Sequence, residues 1–348
     1  VDEISSYFAM RKFSKIKIGD YQFFALNNKP YFIKGVLDQG YYDKGLLTPE
    51  KDEDYIKDIS LMKQMGFNTL RKHIKVESLR YYYHADRLGM IVFQDFINGG
   101  HKYGFLTVHA PLFLNVRADD NDYKKFSRED EKNRLDTINE FKEIINYLKN
   151  VPSLALWTIF NEGWGQFDSK NIYRDLKKIE KERLFDHASG WYDMGVSDIK
   201  SLHVYFKRAK IKNIKNINDR IILLTECGGY SYNIESSSKK SFGYKKIKSQ
   251  DDFVKQYSKF IELDIKNNLK YGLSGFIYTQ LSDVESEVNG FITFDRKTIK
   301  FTPETIRDIN DTIKAESLDD DFEDTISSFD DDDFEDTLGS FKKENVII

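Results

Sequence analysis

Two glutamates, Glu162 and Glu226, each end a run of apolar, β-favouring residues, and glycine follows each within two positions. The first run, Leu154-Ala155-Leu156-Trp157-Thr158-Ile159-Phe160, passes into Asn161-Glu162-Gly163-Trp164, and the second, Ile221-Ile222-Leu223-Leu224-Thr225, passes into Glu226. Unbroken apolar runs of this kind suit strands buried on both faces, as in parallel sheets. In a barrel of parallel strands, the residues that do chemistry stand where strands end. Two carboxyl groups at one such mouth can split a glycosidic bond. One protonates the departing oxygen, the other attacks the anomeric carbon or activates a water, and the gap between them sets the stereochemistry. Either glutamate alone carries little weight, because a barrel-end glutamate is more often the partner in a structural ion pair. Two at equivalent positions, one preceded by Asn and followed by Gly-Trp, form a constellation.

The elements that must position this pair alternate in type. Strand character falls at 31–36, 68–71, 90–93, 154–160, 202–205, 221–226 and 274–280, and a fifth strand is placed near Trp191. Helical spacing of apolar residues falls between them, at 48–65 (with Thr48 as cap and Pro49 at the first helical position), 79–88, 133–149, 168–182 and 251–269. About eight such units imply an α/β fold, a (β/α)8 barrel over residues 31–315. Residues 1–30 are short antiparallel β with a turn at Asn27-Asn28-Lys29-Pro30, expected to be the remnant of a preceding β-sandwich domain or a hairpin lid on the barrel's base. Residues 316–348 form an acidic tail in which Asp319-Asp320-Asp321-Phe322-Glu323-Asp324-Thr325 returns as Asp331-Asp332-Asp333-Phe334-Glu335-Asp336-Thr337. Such a segment is expected to be disordered, or to dock on a partner through its Phe, Ile and Leu residues.

Bulk composition narrows the function classes. Hydrophobic residues at 40% suffice for a large core, and the net charge of −4 conceals a tail of thirteen acidic and two basic residues on a mildly basic body. No arginine-rich patch interleaved with aromatics is present, which argues against a nucleic-acid partner. No apolar run is long enough to span a membrane. A single cysteine, Cys227, excludes an internal disulfide and suits a reducing compartment, so a cytoplasmic location is expected. The chain opens on Val1 without a signal-peptide pattern, as a fragment of a longer protein would.

Phe160-Asn161-Glu162-Gly163-Trp164-Gly165-Gln166-Phe167-Asp168 and Thr225-Glu226-Cys227-Gly228-Gly229 resemble the acid/base and nucleophile segments of the catalytic barrel of glycoside hydrolase family 2, the family of β-galactosidases, β-glucuronidases and β-mannosidases. Tyr31 to Gly40, Gly66-Phe67-Asn68-Thr69-Leu70-Arg71, Asp86-Arg87-Leu88-Gly89-Met90 and Asn289-Gly290-Phe291-Ile292-Thr293-Phe294-Asp295-Arg296-Lys297 are similar to further segments of that family, in the same order. The resemblance implies a retaining exo-β-glycosidase, β-galactosidase-like, working by double displacement. It makes Glu226 the nucleophile and Glu162 the acid/base. Asn161 would bind the sugar 2-hydroxyl, Arg71 would keep Glu226 charged, and Tyr205 would sit beside the nucleophile. His203 near a strand end, Trp164 and Trp191 as stacking surfaces, and Asp38 and Gln39 beyond the first strand complete the expected sugar-binding set. Each also has a plain structural reading.

Departures from the family's pattern bear on the substrate. Leu37-Asp38-Gln39 stands where well-known members have Arg-His, Lys72-His73-Ile74-Lys75 replaces Ser-His-Tyr-Pro, and Thr279-Gln280 replaces a tryptophan. Glu287-Val288-Asn289 stands where glucuronidases have Asn-x-Lys, and an acidic residue there disfavours a uronate. No metal and no cofactor are expected. The expected partner is a carbohydrate substrate, with a homo-oligomer or docking through the acidic tail as the remaining partner reading. The competing functional reading is a sugar-binding barrel without turnover. A barrel hydrolase of other chemistry would need a metal cluster or a nucleophile-base pair that the scattered histidines and Cys227 do not supply.

Overall fold

The computed structural model describes residues 2–313 apart from 4–5, 103, 105–106, 108–110, 112–117, 215–216 and 235–242; the acidic tail lies outside the described residues. Eight parallel strands form the barrel: β4 (Ile33–Asp38), β5 (Thr69–Lys72), β6 (Ile91–Asp95), β7 (Leu154–Thr158), β8 (Leu184–Asp186), β9 (Ile199–Val204), β10 (Ile221–Gly228) and β13 (Leu273–Thr279). Their ladder runs β9-β10-β13-β4-β5-β6-β7-β8. Asp198 closes the seam between β8 and β9. Its N–H donates to Phe185 O, its carboxylate accepts from Phe185 N, and its carbonyl accepts from Ile221 N. Short strands β11 (Tyr230–Ser231) and β12 (Lys245–Lys246) pair above β10.

The barrel interior is packed with Ile33, Leu37, Phe93, Leu156, Leu223 and Ile277. An N-terminal hairpin, β1 (Phe13–Ile18) and β2 (Tyr21–Leu26), extended by β3 (Lys29–Pro30), covers the end where the strands begin. Its Gln22 pairs with Ile221 at the start of β10, and Phe24 N donates to Ser274 Oγ at the start of β13. Phe13 and Phe24 complete the interior cluster from below, with Phe24 6.0 Å from Phe93 between ring centroids.

Helices α1 (Asp52–Gln64), α2 (Leu79–Leu88), α3 (Glu131–Leu148), α4 (Ser169–Ile179) and α5 (Gln250–Phe260) lie in the expected segments, and α6 (Pro303–Asp311) was not anticipated. Several boundaries differ from the sequence reading, among them β9, which begins at Ile199 and not at 202, and three differences have a clear physical reason. The fifth strand is 184–186, because three residues are too few to show a period, and Trp191 lies in the loop beyond it. Helix α1 starts at Asp52 with Lys51 as its cap residue. Thr48 instead closes a turn onto Gly45 O, and Asp52, Glu53 and Asp54 meet the positive end of the helix dipole. Helix α5 runs on into a π-helical turn, Ile261–Lys266, instead of continuing as one α-helix. Among the described residues no helix follows β8, and β9 is followed only by a 3-10 turn, Ile211–Asn213. No helix among them is long and apolar enough to cross a membrane.

Phe24 is fully buried, so Phe24→Ala is expected to cost about 3–5 kcal/mol of unfolding free energy in urea titration. A loss below about 1 kcal/mol would mean that the hairpin is not part of the barrel core.

Candidate active site

Parity along β10 decides where Glu226 points. Ile221 and Leu223 face the barrel interior, whereas Ile222 and Leu224 face the helices. Strict alternation would send Glu226 outward as well. The register with both neighbours slips between Leu224 and Cys227. This irregularity lets Thr225 and Glu226 both reach polar partners inside while Cys227 packs outward, its Sγ against Ile277 O.

Both oxygens of Glu226 are held. Arg71 Nη1 donates to Oε1 at 3.1 Å, and the Tyr205 hydroxyl donates to Oε2. Arg71, with no solvent exposure, also pairs bidentately with Asp95 (2.9 and 3.0 Å), donates to Thr225 O at 2.9 Å and donates to Asn161 Oδ1 at 2.9 Å. Burial opposes its charge, but Asp95 and Glu226 outweigh burial and raise its proton affinity. Burial would likewise lift the Asp95 carboxyl; Arg71 and His73 hold it below the usual carboxylate range.

Glu162 reaches the same mouth from β7 through a backbone in the left-handed region, φ 50°, with its N–H on Ser189 O. His203 Nδ1 lies 2.7 Å from Glu162 Oε1, and His203 Nε2 lies 2.9 Å from Ser189 Oγ and 3.7 Å from Glu226 Oε1. Burial, aided by Arg71 and opposed by Glu226, pushes His203 down to about 4, so the ring is neutral at neutral pH. Gly190 makes room for it: at φ 87°, a Cβ there would stand 2.7 Å from His203 Nδ1. Donor atoms of Glu162, His203 and Glu226 all lie within 4.8 Å of one another, a spacing that could also hold a metal ion.

The structure brings Asn161, Arg71, Tyr205 and His203 together with the two glutamates. Arg71 on Oδ1 fixes the Asn161 amide and leaves its NH2 as the donor end. Trp191 stands 5.4 Å from His203 between ring centroids, with its indole N–H buried and unpartnered, while Trp164 is partly exposed just beyond Glu162. Asp38 is not brought to this group. Leu37 takes the inward position on β4, so Asp38 faces the helix layer, where it pairs with Lys72 at 2.9 Å and accepts from Gly40 N. Gln39 turns to the β13 side of the mouth and donates to Gln280 Oε1 and Glu287 Oε2. Asn289 donates to Glu287 Oε1 and accepts from Gln280.

Sequence reasoning passed over Asp95, although it ends the apolar run of β6 as Glu162 ends that of β7. It also passed over Tyr244, whose ring stacks on Tyr205 at 3.7 Å and 9°. Nothing local marks Tyr244, because its partner lies far away in sequence, just beyond β9.

The sequence model described as glycosyl hydrolases family 2, TIM barrel domain, matches residues 16–309. The chain belongs to this family. Curated relatives include β-galactosidases of Klebsiella pneumoniae (strain 342), 26% identical over 189 residues, and of Leuconostoc mesenteroides, 22% identical over 207 residues. These matches take in 54% and 59% of this family 2 chain but only 16% and 18% of those proteins. Among solved structures, a family 2 β-galacturonidase from Eisenbergiella tayi bound to galacturonate aligns with a TM-score of 0.65 at 15% identity, over 88% of this chain and 55% of that one. A β-D-glucuronidase of Dictyoglomus thermophilum gives 0.66 at 15%, over 88% and 54%. At this identity the likeness speaks for the family 2 fold alone.

The depressed His203 value has a stability consequence. Unfolded histidine titrates near 6.5, so as pH falls the unfolded chain takes up this proton first. The neutral ring's contribution is therefore complete above pH 6.5 and is lost as pH falls toward 4. Asp58, Asp186 and Asp283, pushed up to about 6 mainly by burial, act with the opposite sign, so the comparison must be a difference. The unfolding free energy of the native chain minus that of His203→Gln is expected to shrink by about 3 kcal/mol between pH 7 and pH 4. A difference that stays constant with pH would show that the ring does not titrate in this way.

Proposed function

We propose that the chain is a retaining exo-β-glycosidase that removes a terminal β-linked neutral sugar by double displacement. One observation carries this reading: a carboxylate oxygen of Glu162 and one of Glu226 approach within 4.8 Å, which favours the shorter of the two carboxyl separations that glycosidases use. Retaining enzymes hold their carboxyl groups about 5–5.5 Å apart, and inverting enzymes need about 6.5–9.5 Å to admit a water between them. The surroundings support one division of roles. Glu226 is clamped by Arg71 and Tyr205 and suits the ionised nucleophile, whereas Glu162 is more exposed and touches a neutral histidine, which suits a group that must hold and return a proton.

In the first step Glu226 attacks the anomeric carbon, the bond to the leaving oxygen breaks, and Glu162 gives that oxygen its proton. In the second, Glu162 takes a proton from water as the water attacks the same carbon, and the ester to Glu226 breaks. The Asn161 amide donates to the 2-hydroxyl, and its anchorage on Arg71 ties that contact to the nucleophile's position. The curated relatives are named β-galactosidases, and the solved structures include uronidases. Glu287 favours the neutral sugar. Its carboxylate is fixed by Gln39 and Asn289 on the β13 side of the mouth.

Intact mass after exposure to 2-deoxy-2-fluoro β-glycosides is expected to show one covalent adduct on the peptide holding Glu226, absent in Glu226→Gln. Glu162→Gln should lose about 10²–10⁴-fold in rate on alkyl glycosides and far less on a dinitrophenyl glycoside, whose leaving group needs no proton. Absence of any adduct from a folded chain would favour sugar binding without turnover. The ratio of β-galactoside to β-glucuronide kcat/KM should exceed about 100-fold and fall at least about 10-fold in Glu287→Lys. A native chain that turns over both equally would remove Glu287 as the discriminator.

A further inference from the structure

We propose that Tyr244 is a positioning residue for the nucleophile, acting through Tyr205. This inference rests on the assignment of Glu226 above. Tyr205 supplies one of the two contacts that hold Glu226, and Tyr205 is itself buried at the top of β9. Its hydroxyl can reach Oε2 only while the ring keeps one rotamer. The ladder fixes its backbone only as far as Val204, which pairs with Cys227, so the ring must be held by packing. Tyr244 provides that packing: the two rings lie 3.7 Å apart at 9°, a stacked pair. Phe206 meets the far ring edge-on at 5.5 Å.

Tyr244 is in turn seated by backbone. Its N–H donates to Gly229 O, Ile247 N donates to Ser231 O, and Tyr230 and Ser231 pair in parallel with Lys245 and Lys246. Gly229 has φ 69°, and a Cβ there would stand 2.3 Å from the Tyr244 ring, so the close approach of the segment to β10 requires glycine. The segment 243–247 thus folds back on the strand that carries Glu226 and presses one ring onto the phenol that holds it. In this role Tyr244 acts on Glu226 through Tyr205. Its effect must appear in how well Tyr205 meets Glu226.

Single-turnover trapping by a 2-deoxy-2-fluoro β-glycoside, with kcat and KM for an aryl β-glycoside, tests this in Tyr244→Ala, Tyr244→Phe, Tyr205→Phe and the double variant Tyr205→Phe/Tyr244→Ala. Tyr244→Ala is expected to lower kcat and the trapping rate about 10–100-fold with KM within about threefold. Tyr244→Phe, which keeps the stack, should restore most of the rate, and the double variant should be no slower than Tyr205→Phe alone. Native rates in Tyr244→Ala, a loss confined to KM, or losses that add in the double variant would overturn the proposal. Thermal unfolding of each variant identifies a chain that fails to fold, in which case Tyr244→Leu takes the place of Tyr244→Ala. A readout free of turnover is the 13Cζ tyrosine resonance of Tyr205, identified by its loss in Tyr205→Phe. It should shift in Tyr244→Ala as the hydrogen bond to Glu226 loosens, and an unmoved signal would sink the idea. A moved signal in a chain that forms no adduct with any sugar would keep the positioning role and remove the glycosidase reading.

Discussion

The guanidinium of Arg71 is the interaction on which the site depends. A buried cation is costly unless every donor finds an oxygen and the local charge is balanced. Arg71 satisfies both conditions with Asp95, Glu226, Asn161 and the carbonyl of Thr225, so β6, β10 and the loop beyond β7 meet at one side chain of β5. Each partner is thereby placed relative to the others. The amide that faces the sugar and the carboxylate that attacks it are fixed by the same planar fork, which a lysine could not reproduce. A single residue makes assembly of the barrel mouth and alignment of the chemistry one event.

Its neighbour Lys72 shows how one short strand serves two layers. Successive residues on β5 point to opposite faces. Arg71 turns into the barrel, whereas Lys72, equally buried, turns to Asp38, Glu77 and the face of Tyr81 on α2. One cation organises the site and the next fastens the sheet to its helices. Asp38 belongs to the second system for the same reason of parity.

Much of this was legible in the sequence. The long apolar runs at 154–160 and 221–225 fixed two strands and the two glutamates at their ends, and Gly66 to Arg71 pointed to the arginine between them. Three kinds of information were not local. β8 is too short to show a period. The irregularity in β10 that turns Glu226 inward depends on register with two other strands. The stack of Tyr244 on Tyr205 joins two loops that only the closed barrel brings together. Asp95 was within reach, since it obeys the strand-end rule that singled out Glu162.

The seam held by Asp198 has a consequence for motion. β8 and β9 meet without a continuous ladder, and although α4 packs Tyr173 and Lys177 on Phe185 of β8, no helix among the described residues follows β8 in the chain. Regions with few lateral bonds and little cover open first, with a free energy well below that of global unfolding. His203 and Tyr205, the neighbours that tune the two glutamates, belong to β9 and the residue just beyond it. Opening at this seam would therefore reach first the groups that set the proton balance of the site. A perturbation too small to melt the fold would first be felt as misaligned chemistry.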